Sequence, residues 1–439
     1  MARKLFLFVS AGFIFFQSGT SIYAEGSYTA TPGATGSRVK DEVEDAVRLD
    51  ELEKSIQAPE ESPQFNPDDE DFLKYDDTKL VLLKKVVFGP SEILSPAELE
   101  SVSSLYVDSQ VSLRDLYKMT ARVNMLYQQK GAPAAVAVLP QQDITDGIVQ
   151  VQLIEGRIGK ISVSGNRYTN DDFIANRLMS RAGQLVDGER LQRELIKINS
   201  LYDISTRVQL SAGETFGTSD LEVIVVEPQD HDLVLFTDNA GKDDIGEYRL
   251  GLVAVERSVF GIRDAFSLGA VGADGMENLF VSYDVPLNRY GSSAALGYDY
   301  SKTNVKSGDL SDLDIEGEYY GWSARLKHPL FVSAQLVSRA FVEYDHKRST
   351  SEFDGYVTFD TTITSLSCGF DATVYGRGSA TYFYNSVTEG EDEHDSTRNF
   401  LRYNAQLDYM LSLRGTSRII AKLKFQLADS DLLPSSEQF

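Results

Sequence analysis

The chain has 439 residues, a formal net charge of −24 and a sequence pI near 4.6. That balance excludes nucleic acid as a partner, because phosphate backbones are bound by basic faces that displace counterions. A single cysteine, Cys368, excludes an internal disulfide, and no stretch supplies the roughly 18 consecutive apolar residues of a membrane-spanning helix.

Residues 1–24 open with Arg3 and Lys4, continue through an apolar run from Leu5 to Phe16 and reach Ala24, the layout of a secretory signal peptide cut after Ala24. An acidic linker is expected over 25–78, with prolines at 32, 59, 63 and 67 and too few apolar residues for a core. Within it, Val43, Val47, Leu52 and Ile56 fall on one stripe of a predicted amphipathic helix, 41–56, rich in carboxylates.

From residue 79 the pattern becomes strand, helix, helix, strand, strand, and then repeats. The first unit, 79–157, has a strand at 80–88 and a helix opened by the capping box Ser95-Pro96-Ala97-Glu98. A second helix, 112–130, carries Leu113, Leu116, Val123, Leu126 and Tyr127 and stops at Gly131; strands at 134–139 and 147–155 complete the unit. The second unit, 158–229, repeats the order with a strand at 159–163, helices at 169–183 and 188–201, and strands at 206–210 and 220–226. Neither unit contains a catalytic constellation.

From residue 230 to 439 a two-residue alternation takes over. Leu401, Tyr403, Ala405, Leu407, Tyr409, Leu411 and Leu413 oppose Arg402, Asn404, Gln406, Asp408 and Ser412. Eleven such segments begin near His231, Glu247, Arg263, Glu277, Ser292, Ile315, Gln335, Thr361, Gly376, Arg398 and Thr416. A soluble sandwich alternates too. Long segments, however, suit a tilted membrane strand of roughly 9 to 11 residues. Tyr320, Trp322, Tyr344, Tyr382, Tyr384, Tyr403 and Tyr409 on the apolar face suit interfacial girdles. Lys or Arg facing lipid costs roughly 2 to 4 kcal/mol at the bilayer midplane, which assigns Arg325, Lys327, Arg339, Glu343, Arg402, Asp408, Arg418, Lys422 and Lys424 to an aqueous lumen. Short turns are expected on one rim and long acidic loops on the other. Cys368 is expected to be a buried, inert thiol on the apolar face. Histidines 231, 328, 346 and 394 lack paired spacing, and no nucleophile or phosphate-loop motif is present. No metal, no cofactor and no enzymatic activity are expected.

The stretch LPQQDITDGIVQVQLIEGRIGKISVSGN, residues 139–166, joins the two small units. It resembles the junction between the two POTRA modules of two-partner secretion translocators, the TpsB or hemolysin secretion/activation family. The resemblance implies an α+β periplasmic part, two β-α-α-β-β POTRA modules, followed by an antiparallel transmembrane β-barrel of which about eleven strands are present. Even strand counts in single-chain barrels, together with the glycine-rich loop and further strands that the family carries, make a C-terminally incomplete barrel the expectation. The implied location is the outer membrane of a Gram-negative bacterium, in contact with its lipid and with the POTRA modules in the periplasm. The implied partner is one secreted protein, a large adhesin or cytolysin. It would be caught unfolded by strand addition at edges 134–139 and 206–210, through Val136, Val138, Val208 and Leu210. Helix 41–56 would close the resting pore as a movable plug. The rival readings are a barrel-assembly insertase of the same superfamily and a passive porin.

Overall fold

The computed structural model describes residues 6–16 as a backbone course, then 45, 48, 49, 52, 77–144, 146–239, 241–308, 311–393, 399–413 and 418–429. Two compact units divide the chain: Met1–Pro59 with Ser200–Asp203 and Pro228–Phe439 in one, Glu60–Asn199 with Ile204–Glu227 in the other. The first unit begins with strand β1, Phe6–Phe16.

The other unit holds both small modules. Strand β2 is Leu80–Leu83 and β3 is Lys85–Phe88, so the single strand expected over 80–88 is broken. At Lys84 the backbone N–H donates to Gly147 O at 2.8 Å. β2 leaves to pair with β4 (Ser109–Ser112), while β3 stays with the main sheet. Helix α1, Pro96–Ser103, starts at the expected Ser95/Glu98 capping box, and α2, Leu113–Gln129, starts at a second one made by Ser112 and Asp115. Both helices lay Leu99, Val102, Leu116, Met119, Val123 and Tyr127 on a sheet of order β3-β6-β5, where β5 is Ala135–Val138 and β6 is Ile148–Glu155.

The second module repeats this plan with β7 (Arg157–Ser164), α3 (Asp171–Ala175), α4 (Gly188–Leu201), β8 (Ser205–Ala212) and β9 (Thr218–Val226), in sheet order β7-β9-β8. The helix expected over 169–183 is only the five residues of α3. Ser180 gives its N–H and hydroxyl to the buried carboxylate of Glu194, and a side chain that captures a backbone donor takes it from the helical ladder.

One residue, Gly156, separates β6 from β7. Its N–H donates to Ala134 O and its carbonyl accepts from Val186 N, both at 3.0 Å. An added Cβ would lie 2.6 Å from Ala134 O and 2.8 Å from Ala134 Cβ. Close by, Gly188 N donates to Gly131 O at 2.7 Å, tying the end of α2 to the start of α4.

Eleven antiparallel strands follow in sequence order within the first unit: β10 (His231–Asp238), β11 (Arg249–Arg257), β12 (Ala265–Ala273), β13 (Met276–Pro286), β14 (Ser293–Asn304), β15 (Ile315–Val332), β16 (Leu336–Phe353), β17 (Tyr356–Gly376), β18 (Ser379–Asp392), β19 (Phe400–Ser412) and β20 (Arg418–Ala428). Each neighbours the next, as the eleven alternating segments anticipate. β1 adds to β20 with Phe6 opposite Ala428 and Phe16 opposite Arg418; the sequence reads that same stretch as the apolar run of an export leader. Among the described residues the sheet is not closed, and its edges are β10 and β1.

β15 and β16 have 18 residues each and β17 has 21, well beyond the roughly 9 to 11 that cross a bilayer. The rim contrast therefore lies partly in strand length. On the rim with longer loops, β16 and β17 are joined by only Asp354-Gly355, both at positive φ, the geometry of a tight two-residue hairpin.

Replacing Gly156 by Ala is expected to cost roughly 1 to 3 kcal/mol through overpacking. Hydrogen exchange of amides 134–157 in rising urea measures it; protection equal to that of the unmodified chain would contradict the close-approach account.

Candidate functional site

The long sheet carries its apolar side chains on the outside. Leu326, Leu366, Leu401, Leu407, Tyr409 and Leu423 are exposed, whereas Asp371, Asp408 and Gln426 on the alternate positions are buried. Leu326 is 57% exposed and Asp408 0%. A soluble sheet sorts these residues the other way, with its apolar face inside and its charges in water. All nine residues assigned to the lumen from sequence fall on the buried parity. Arg325 pairs with Glu343 at 2.7 Å and Arg339 with Asp371 at 2.9 Å, while Lys327 lies 3.9 Å from Asp284. Arg402 and Arg418 lie on β19 and β20, Arg402 5.9 Å from the Phe400 ring.

Two girdle assignments change. Tyr382 is buried on the inner side, and Tyr384 stacks on the buried Phe341 ring at 5.3 Å. The strand parity of β18 sets this, since Ala380, Ser386 and Thr388 on the same face are buried too. Cys368, expected buried, is exposed on the apolar face.

Four residues of the expected 41–56 helix are described, and they dock on this inner face. Asp45 accepts from Lys424 at 3.0 Å and Lys422 at 3.3 Å. Arg48 pairs with Asp45, donates to Asp408 at 3.1 Å and lies 4.5 Å from the Tyr382 ring centroid. Burial opposes the Asp45 charge, but Lys424, Arg48 and Lys422 together hold its carboxyl well below the usual range. Leu52 is buried against Ala380, Tyr382, Met410 and Ile420, with Leu49 beside it. Val43, Val47 and Ile56 lie outside the described residues. Sequence reasoning missed the Leu52 pocket. Its signal was available, because Met410 and Ile420 adjoin the polar runs Arg402 to Asp408 and Lys422 to Gln426 on the same parity.

In the two small modules, the junction motif has a structural role. Gln142 donates to Gln150 O and accepts from Gln150 N, each at 2.8 Å, so its amide replaces a strand residue where Pro140 offers no N–H. Glu155 accepts from Ser91 Oγ, Glu92 N, Ile93 N and Tyr127 OH. Arg157 pairs with Glu92 at 2.6 Å and donates to Gly183 O at 3.0 Å. Of the four residues predicted to bind a partner, Val136 is exposed and Val138 half-buried on β5, one outer strand of its sheet. Val208 and Leu210 are half-buried on β8, on the side of the buried Thr206.

A family model described as haemolysin secretion/activation protein ShlB/FhaC/HecB matches residues 217–439, and a ShlB-type POTRA domain matches 81–156. The chain belongs to this secretion/activation family. It is similar to the heme/hemopexin transporter protein HuxB of Haemophilus influenzae, 24% identical over 77% of the chain and 63% of that protein. It is also similar to the outer membrane transporter CdiB of Dickeya dadantii, 24% identical over 52% of the chain and 41% of that protein. The chain thus spans less than two thirds of these relatives. The solved structure of CdiB from Escherichia coli has the same fold, with a TM-score of 0.62 at 16% identity over 94% of this chain and 80% of that one.

Membership places the barrel in the outer membrane and the POTRA modules in the periplasm. The exposed apolar face includes Cys368. In the first POTRA module, burial raises the Glu155 pKa, but the hydrogen bonds from Ser91, Glu92 and Tyr127 outweigh it and leave the carboxyl below its ordinary 4.5. A depressed folded value means stability present above 4.5 and lost as pH falls through the lowered one. Acid titration should therefore release amides 91–94 from hydrogen-exchange protection, and Glu155→Gln should flatten that dependence. An unchanged acid profile in the variant would assign the loss to other groups.

Proposed function

We propose that this protein is the outer-membrane translocator of a two-partner secretion pathway. It takes an unfolded exported protein, a large adhesin or cytolysin, from the periplasm and passes it through the barrel to the cell surface. The reading rests on one observation above the rest: the charged inner wall is occupied by a segment from the chain's own N-terminal part. Asp45 faces Lys422 and Lys424, Arg48 faces Asp408, and Leu52 fills an apolar recess. A passive porin has no use for such an occupant or for two POTRA modules. Family membership and the transporter descriptions of HuxB and CdiB support the same reading.

In this mechanism the POTRA modules hold the passenger as an added strand, and the N-terminal segment closes the resting lumen. A passenger must displace that segment, so opening is a population shift set by competition for the inner wall. Arg325, Arg339 and their acidic partners stay paired on the wall and keep it wet without fixed bonds to cargo. The chemistry is binding and passage; no residue is assigned a catalytic role.

Planar-bilayer recordings of the full-length protein test the closure. Deleting 41–56, or Asp45→Lys placed against Lys422 and Lys424, should raise open probability. Conductance indistinguishable from the unmodified protein would remove the plug from the mechanism.

A further inference from the structure

The two POTRA modules present unequal edges. In β5, Ala137 turns its N–H away from β6 and donates it to Asn124 Oδ1 of α2 at 2.6 Å. Outward positions of an antiparallel ladder recur every second residue, so the other outward donor of β5 is Ala135. It is bonded to Ala132 O at 3.1 Å. α2 packs along this strand, and the β5 edge therefore offers an incoming strand no free donor.

β8 begins in the same way and then departs. Thr206 faces outward, and Asn199 takes its N–H at 2.7 Å and its carbonyl at 3.2 Å. The next outward positions are Val208, Leu210 and Ala212, and among the described residues their N–H groups meet no acceptor. α4 does not run along them as α2 runs along β5. The opposite edge of this sheet is closed at its start, since Ile158 N donates to Gln184 O at 2.8 Å and Ile158 O accepts from Gly183 N at 2.7 Å.

Donors and acceptors at a two-residue spacing are satisfied together only by the backbone of another strand. The side chains beside them specify that strand further. Arg207 and Gln209 are exposed on one face, and Arg207 has no ion pair among the described residues. Val208 and Leu210 lie half-buried on the other face. We infer that the β8 edge at 208–212, and not β5, is the docking site for an extended polypeptide whose aliphatic residues alternate with acidic ones. The aliphatic side lies over Val208 and Leu210 and the acidic side beside Arg207. This rests on the translocator reading and narrows it to one module and one class of segment.

The test uses the full-length protein in detergent micelles with Cys368→Ser, carrying either Gln209→Cys or Val136→Cys. The probe is a peptide of alternating Val and Asp with one central Cys, and disulfide capture is read under mild oxidation. Gln209→Cys should capture the peptide, and adding Leu210→Pro should abolish capture. Proline is tolerated on an edge strand where its missing N–H faces outward, and the ladder to β9 runs through the alternate residues, so unchanged circular dichroism checks folding. Arg207→Glu should reverse the preference between Asp-bearing and Lys-bearing probes. Capture by Val136→Cys alone would move the site to β5 and leave strand addition intact. Capture by neither, or capture by Gln209→Cys that survives Leu210→Pro, would overturn the inference. The channel measurement is independent of all these outcomes, so failure of the docking site is distinguishable from failure of the translocator reading.

Discussion

An extended strand can give each side of a sheet only every second residue, and a bilayer offers no water to a backbone group or a charge. Together these two constraints account for most of the large unit. Leu401, Leu407 and Tyr409 share one side of β19, and Asp408 and Met410 share the other. Burial of Asp408 is no anomaly, because the inner side is where it finds Arg48 and Gln406 as partners. The pairs Arg325–Glu343 and Arg339–Asp371 follow from this, each joining neighbouring strands across the wall.

The same wall explains why a segment from the chain's start can be held there without a conventional core. Burying Asp45 or Arg48 alone would be costly. Each is met by opposite charge already on the wall, and Leu52 packs against Ala380, Tyr382, Met410 and Ile420. Such a contact is specific, since each charge of the segment meets its own partner on the wall. Strength in the periplasmic part has another source. Gly156, bonded to Ala134 O and Val186 N, and Arg157, bonded to Glu92 and Gly183 O, turn the connection between POTRA modules into a bonded joint, while Gln142 and Glu155 brace the first module beside it.

Sequence made the architecture legible where one physical rule dominated. The Ser95 capping box, the stop at Gly131 and the eleven alternating segments are local signals, and each has its counterpart in the structure. Reading failed where a distant partner decided the outcome. Ser180 leaves the helical pattern because Glu194 reaches it, and the 80–88 strand breaks because Gly147 O binds Lys84 N. Residue type alone puts Tyr382 and Tyr384 outside, although the parity of Ala380, Ser386 and Thr388 points them in. For the candidate site, the charged wall was readable, and Met410 and Ile420 marked a break in its polar run, but what fills that break lies far away in sequence and strand periodicity does not point to it. Likewise, two edge strands could be named from sequence, but the Asn124 cap that closes one of them comes from a helix and leaves no trace in strand periodicity.

The central claim is that lipid touches one side of β19 and water the other. Single spin labels placed in turn at 401–409, in a Cys368→Ser background in lipid bilayers, would measure it through collision with oxygen, which concentrates in lipid, and with a water-soluble nickel chelate. The account predicts that Leu401, Tyr403, Ala405, Leu407 and Tyr409 collide with oxygen and Arg402, Asn404, Gln406 and Asp408 with nickel, in strict alternation. Nickel accessibility along both sides, or an inverted pattern, would contradict it.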